Sequence, residues 1–155
     1  MQMFKLIDAA AEDASFLYEL FATAKQEEME AWNWPAAEQD EFVRMQHRAQ
    51  QQSYSTRYPN AYDQIILCEG KKAGRMLTAR SSTEVVVIDL VLLPAFRNRG
   101  VGTALLRELQ QSLRAERLPL CLHVMVNSPA RRLYARLGFS EDGFSIPFIR
   151  MCWRP

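Results

Sequence analysis

Arg97-Asn98-Arg99-Gly100-Val101-Gly102-Thr103 is the stretch that decides the fold. It follows an apolar run over residues 85–94 and precedes a helical pattern over residues 104–113, so it is predicted to be the turn between a strand and a helix. Backbone N–H groups at a helix start have no intrahelical acceptor and favour a bound anion. The two glycines leave room for a bulky phosphate, and the two arginines add positive charge. The stretch therefore predicts a pyrophosphate site.

The spacing of the glycines separates the known kinds of phosphate-binding turn. A P-loop ends in Gly-Lys-Ser/Thr, which this stretch lacks. A dinucleotide-binding turn requires a third Gly or Ala where Leu105 stands. The pattern that remains is Arg-x-x-Gly-x-Gly, starting three residues after Pro94.

A second block follows downstream: Asn127-Ser128-Pro129-Ala130-Arg131-Arg132-Leu133-Tyr134-Ala135-Arg136-Leu137-Gly138-Phe139. Its pattern is Asn-x-x-Ala-x-x-Leu-Tyr-x-x-x-Gly-Phe. Taken together, the two motifs resemble the acetyl-CoA-binding segments of the GNAT superfamily of N-acetyltransferases. The motifs lie between residues 85 and 139, and the order of the other elements extends the resemblance to the whole chain.

The resemblance implies a site for acetyl-CoA. The backbone of Leu90, Val91 and Leu92 would contact the pantetheine arm, the turn over residues 98–103 would hold the pyrophosphate, and the Leu92 N–H would polarise the thioester carbonyl. Asn127 would hydrogen-bond the pantetheine, or else cap the following helix. The cofactor-binding residues implied are Leu90, Val91, Leu92, Arg97, Asn98, Arg99, Gly100, Val101, Gly102, Thr103, Asn127 and Tyr134.

Tyr134 and Asp89 are the candidate catalytic residues. By resemblance, Tyr134 protonates the departing CoA sulfur, which suits a hydroxyl that is protonated at neutral pH; the alternative is a tyrosine packed against the sheet. Some relatives carry a glutamate base where Leu122 stands. Asp89 is the substitute, because an acid in an apolar strand is costly unless paired or used. Asp89 could instead be a structural partner of an arginine or of a backbone N–H. Glu28 and a chain of water molecules are the alternative bases.

The sequence gives less information about the residues that would bind the acceptor amine. Resemblance nominates Glu28, Trp32 and Trp34, which lie between the first two helices, as substrate-binding residues. The two tryptophans could equally plug the loop onto the core, and Glu28 could belong to a solvated helix face. An acid-rich helix end could favour a cationic amine.

Composition narrows the class of protein. At 155 residues with 48% hydrophobic content, residues 1–155 are expected to form a single acetyltransferase domain. A net charge of +1 gives no case for nucleic acid or an anionic membrane, and no apolar run approaches the roughly 20 residues of a membrane helix. Without a signal-peptide pattern, a cytoplasmic location is expected. Cys68, Cys121 and Cys152 are widely spaced and are expected to be buried thiols, with no disulfide framework and no metal site.

The resemblance implies an α/β (α+β) fold, with a central mixed, mostly antiparallel sheet of about seven strands and about four helices. Strands are expected at residues 2–7, 63–68, 73–80, 85–93 and 120–126, followed by two more within 139–153 around Glu141-Asp142-Gly143. Helices are expected at residues 13–32, 37–53, 102–117 and 129–137. The sheet edge formed by the last two strands is compatible with a homodimer.

The sequence thus predicts transfer of an acetyl group from acetyl-CoA to a primary amine by direct attack in a ternary complex. The acceptor would be a small-molecule or peptide amine. The alternative is a catalytically inactive acyl-CoA-binding regulatory module, which the absence of Glu at position 122 favours.

Overall fold

A computed structural model describes residues 4–155 of the chain. Helices and strands follow one another in the predicted order, and the α/β fold class is confirmed. In chain order the elements are β1 (Phe4–Asp8), α1 (Ala14–Met29), α2 (Ala36–Arg57), β2 (Tyr62–Cys68), β3 (Lys71–Arg80), β4 (Val85–Leu92), α3 (Val101–Glu116), β5 (Leu120–Met125), α4 (Ala130–Arg136), β6 (Ser140–Ser145) and β7 (Phe148–Trp153). The predicted start of the first strand, Gln2, lies outside the described residues.

The strands form a mixed seven-stranded sheet in the order β1-β2-β3-β4-β5-β7-β6. β1 pairs antiparallel with β2, and β7 pairs antiparallel with both β5 and β6. β4 and β5 are parallel, and α3 connects them. Parallel neighbours require such a crossover connection, so the Gly-rich turn at the end of β4 leads directly into a helix.

Contacts within the chain divide it into two compact units. The N-terminal unit comprises Met1–Met76 and Val91–Arg97, and the C-terminal unit comprises Leu77–Leu90 and Asn98–Pro155. The core of the N-terminal unit includes Leu20 and Met29 of α1, Val43 of α2, and Ile65 and Ile66 of β2.

The C-terminal unit has its own apolar core. The apolar stripe of α3 contributes Leu106 and Leu113, and strands β4, β5 and β7 and the segment after α4 contribute the remaining side chains. The buried members are Val85, Val87, Leu106, Leu113, Leu120, Leu122, Val124, Leu137, Phe139, Ile149, Met151 and Trp153.

Two expectations are wrong. The last hairpin does not turn at Glu141-Asp142-Gly143, which lies inside β6 at a bulge; the chain turns at Ile146 and Pro147, because residues 140–145 are all paired or bulged against β7. Cys121 and Cys152 are joined by a disulfide, whereas Cys68 is a buried free cysteine. The two disulfide partners are directly opposite each other on β5 and β7, with Cα atoms 4.1 Å apart.

Candidate functional site

The Gly-rich turn has the backbone that an anion site requires. Asn98 (φ 62°) and Gly100 (φ 80°) are in the left-handed region, and both are exposed. The carbonyl of Gly100 accepts the Ala104 N–H at 3.0 Å. The amides of Val101, Gly102 and Thr103 therefore precede the first hydrogen bond of α3 and have no acceptor within that helix. Their dipoles add to the positive end of the helix.

The two glycines border open space. A Cβ added at Gly100 or at Gly102 would meet no heavy atom within 4 Å. At Gly100 the positive φ explains the glycine, since other residues rarely adopt it. Gly102 is in the first turn of α3 and has no such conformational reason. Room for a ligand beside the backbone is the reason that the structure leaves for Gly102.

The Arg97 side chain forms an ion pair with an acidic residue of α1. Its Nη1 and Nη2 each donate to the Glu27 carboxylate at 2.9 Å, and its Nε donates to the Leu92 carbonyl at 3.0 Å. The hydrogen bond from Arg97 lowers the pKa of Glu27, and the same bond raises the pKa of Arg97. The guanidinium thus joins α1 to the end of β4. Glu27 was not among the residues predicted for the site.

The end of β4 is also held by close contact with β3. A Cβ at buried Gly74 would lie 2.1 Å from the Val91 carbonyl oxygen, and the Leu93 N–H donates to the Ala73 carbonyl at 2.8 Å. The predicted donor-binding backbone at Val91 and Leu92 is therefore fixed by β3 and by Arg97. Gly74 was also missed, because its role depends on which strand lies beside it.

Within the C-terminal unit, the β4–β5 ladder covers three positions, from Val85 opposite Leu120 to Val87 opposite Leu122. Residues 88–90 and 123–125 continue beyond those positions, so Asp89 and Leu90 lie in the part of β4 that is not paired with β5. Asp89 is half-buried and interacts with another group of the protein. Both readings of Asp89, base and structural partner, fit this position.

Tyr134 and Asn127 lie on either side of the start of α4. Burial raises the pKa of the Tyr134 phenol, which keeps it protonated at neutral pH, and its ring contacts Phe139 at 5.9 Å between centroids. The Ser128 Oγ accepts the Ala130 N–H at 3.2 Å, and the N-cap residue of α4 is Pro129, which makes no side-chain cap hydrogen bond. The exposed Asn127 side chain has no hydrogen-bond partner among the described residues.

The acceptor-side candidates lie in the N-terminal unit. The Trp32 and Trp34 rings are 5.3 Å apart, and Phe42 of α2 lies 5.9 Å from the first and 5.3 Å from the second. Trp32 is 46% exposed and Trp34 is 40% exposed, so they do not form a fully buried plug. Glu28 is exposed and pairs with Lys25 at 3.1 Å. Phe42 was not among the predicted residues.

The two units carry opposite charge. The N-terminal unit contains twelve Asp and Glu against nine Lys and Arg, a net charge of −3. The C-terminal unit contains six Asp and Glu against ten arginines, a net charge of +4, and so adds to the field that an anionic ligand meets at the turn. The net charge of +1 for the whole chain does not show this difference between the two units.

Residues 4–155 contain no group of three or more His, Cys, Asp or Glu side chains that could hold a metal ion. Within the same range, none of the helices combines the length and the apolar character that crossing a membrane requires.

The mixed seven-stranded sheet, with the Gly-rich turn before α3, is the fold that the sequence predicts for an acetyltransferase. Residues 8–139 match the Acetyltransferase (GNAT) family, and the chain belongs to that family. A comparison with curated proteins found no match.

Solved structures share the fold at low sequence identity. The PaiA N-acetyltransferase from Thermoplasma acidophilum, solved in complex with coenzyme A, is 15% identical with a TM-score of 0.72, and the match covers 100% of both chains. Ard1 from Thermoplasma volcanium is 17% identical with a TM-score of 0.66, covering 99% of this chain and 98% of that one. The ribosomal-protein-S18-alanine N-acetyltransferase from Escherichia coli is 20% identical with a TM-score of 0.65, covering 98% and 94%.

Proposed function

We propose that this protein transfers an acetyl group from acetyl-CoA to a primary amine by direct attack in a ternary complex. The observation that carries the proposal is the turn over residues 98–103, where the amides of residues 101–103 have no acceptor within α3 and the positions of Gly100 and Gly102 border open space. A turn of this kind stabilises a pyrophosphate through backbone N–H groups and the helix dipole. Membership of the GNAT family and the coenzyme A bound to the Thermoplasma acidophilum relative support the choice of donor.

Each chemical requirement of acyl transfer then has a candidate group. The amine nitrogen attacks the thioester carbonyl carbon, and the N–H of Leu92 donates to the oxyanion that develops on the carbonyl oxygen. The C–S bond breaks, and Tyr134 gives its proton to the departing sulfur. Asp89 takes the proton that the amine nitrogen loses, directly or through water. The raised pKa of Tyr134 fits a group that must carry a proton when the thiolate leaves.

The acceptor is proposed to bind beside Trp32 and Trp34, with Glu28 nearby. Half-exposed rings give apolar area for the carbon skeleton of an amine and a face for a cation. The net negative charge of the N-terminal unit favours an acceptor that arrives as an ammonium ion. A small-molecule amine and a peptide amine both meet this description.

The test combines binding with turnover. Titration calorimetry with CoA measures the donor site, and a thiol-release assay with acetyl-CoA and a panel of small amines, peptide N-termini and lysine peptides measures transfer. CoA release that depends on an added amine supports the enzyme. CoA binding without release on any acceptor would support the inactive binding module instead, and absence of CoA binding would contradict both.

A further inference from the structure

The rings of Trp32, Trp34 and Phe42 form an aromatic patch in the N-terminal unit. Their centroids lie 5.3, 5.3 and 5.9 Å apart, and the two tryptophans are 46% and 40% exposed. Elsewhere in the chain, a Lys or Arg side chain lies over each of the rings of Tyr18, Phe21, Tyr58 and Trp153. Within residues 4–155, no Lys or Arg lies over the aromatic patch. Its rings are therefore open to a cation from outside the chain.

The chain around the aromatic patch carries only negative charge. Residues 26–43 contain no Lys, Arg or His but six acidic residues: Glu27, Glu28, Glu30, Glu38, Asp40 and Glu41. Glu30, Glu38 and Glu41 are exposed, and none of them forms an ion pair in the part of the chain that the structure describes. Glu38 precedes Phe42 by four residues on α2, so the two side chains share one face of that helix. Charge complementarity thus selects a cation as the occupant of the patch.

The end of α1 connects the aromatic patch to the end of β4, and all of these residues belong to the N-terminal unit. The Arg97 guanidinium donates to Glu27 at 2.9 Å and to the Leu92 carbonyl at 3.0 Å. From Glu27 the chain stays helical as far as Trp32, with a short 3₁₀ helix over residues 30–32. These five steps span roughly 8–10 Å. The patch therefore lies about two helical turns from a side chain that is bound to the proposed thioester-binding backbone.

The exposed area of the aromatic patch suits a small ligand. The exposed parts of Trp32 and Trp34 amount to roughly 200 Å², about a quarter of the roughly 800 Å² that one partner buries in a standard protein interface. We propose that the acceptor is an aliphatic diamine and that the aromatic patch binds its second ammonium group. One nitrogen attacks the thioester carbonyl carbon as the free amine and becomes the amide nitrogen, while the other keeps its proton and its charge. The inference rests on the proposed function and names its acceptor class.

The experiment measures acetyl transfer to straight-chain diamines of about four to twelve carbons and to the monoamine of each length. At the best length, kcat/KM for the diamine should exceed that for the monoamine about tenfold, as expected for a cation held by two half-exposed rings. Trp34→Leu should remove most of this preference by lowering kcat/KM for the diamine alone, and Glu38→Gln should lower it about threefold. Phe144→Leu and Glu12→Gln remove an exposed ring and an exposed acid outside the patch and should keep it.

Tryptophan fluorescence measures binding to the aromatic patch without turnover. Trp153, the remaining tryptophan of the chain, is buried, so added ligand reaches only the two indoles of the patch. The preferred diamine should change the fluorescence of the wild-type protein, and the diol of the same length should not. Trp32→Leu, which leaves one indole in the patch, should weaken this binding.

The outcomes separate this inference from the proposed function. Equal kcat/KM for diamines and monoamines at every length, or a preference that survives Trp34→Leu, would overturn the diamine site and leave the acetyltransferase intact. Faster transfer to lysine peptides than to any diamine would overturn it as well. If no amine releases CoA, the proposed function fails, and the fluorescence change alone then decides whether the patch binds a diamine. Thermal unfolding identifies misfolded variants, and Trp32→Leu provides a second variant of the patch.

Discussion

Replacing Gly74 by alanine tests how the donor-binding backbone is held. The added Cβ would lie 2.1 Å from the Val91 carbonyl oxygen and 2.9 Å from Leu92 Cδ2, so β3 and β4 must separate by about 1 Å to relieve the contact. The separation strains the hydrogen bond from the Leu93 N–H to the Ala73 carbonyl, which is 2.8 Å long. Overpacking costs about 1–3 kcal/mol and a weakened hydrogen bond adds about 1 kcal/mol, so the free energy of unfolding should fall by about 2–4 kcal/mol.

The assay is urea unfolding followed by circular dichroism, with CoA affinity measured in parallel at a temperature where the variant is folded. Gly102→Ala is the matched control, because it adds the same methyl group where no atom lies within 4 Å. Its free energy of unfolding should be unchanged or higher by up to about 1 kcal/mol. Its affinity for CoA should nevertheless be at least about tenfold weaker. A Gly74→Ala protein with wild-type stability and wild-type CoA affinity would refute the reasoning.

Three further predictions follow from ionisable groups. If Arg97 acts through Glu27, the variants Glu27→Gln and Arg97→Gln should weaken CoA binding to a similar extent and the double variant no further; tighter binding by Glu27→Gln would instead make Arg97 a direct phosphate ligand. Tyr134→Phe should lower kcat about a hundredfold while CoA affinity stays within about twofold; Tyr62→Phe, in an exposed tyrosine on β2, is the control and should leave kcat unchanged. Burial lowers the pKa of His47 below 6.5, so between its folded and unfolded pKa values the unfolded chain binds more protons and stability falls as pH falls. His47→Leu should therefore lose less stability than the wild-type protein between pH 7 and pH 5 in urea unfolding, and an identical loss would show that His47 does not contribute.

The centre of the fold was predictable because local signals agree there. The apolar run of β4, the glycines of the turn and the apolar stripe of α3 each specify their own element, and the observed bounds of α3, Val101–Glu116, differ from the predicted 102–117 by one residue at each end. The amides at the start of α3 that lack an acceptor within the helix follow from the same local pattern. Neither conclusion needs knowledge of any residue distant in sequence.

The features that were missed depend on distant neighbours. Glu27 and Arg97 are 70 positions apart, and nothing in either local sequence indicates their partner. The role of Gly74 can be recognised only when β3 is known to lie against the end of β4. Similarly, Glu141-Asp142-Gly143 has turn-forming residues, but pairing with β7 extends the strand through them to Ser145. Long-range pairing decides each of these cases.

β7 lies between β5 and β6 in the sheet, and the disulfide joins Cys121 of β5 to Cys152 of β7. It closes a covalent ring between two residues that are 31 positions apart in the sequence. That ring contains α4, with Tyr134, and the exposed turn at Ile146. Closing a ring of this size lowers the entropy of the unfolded chain by the equivalent of roughly 3–4 kcal/mol. If a protease cuts the turn at Ile146, the disulfide keeps the two fragments covalently linked. They would then separate on a denaturing gel only after a reductant is added.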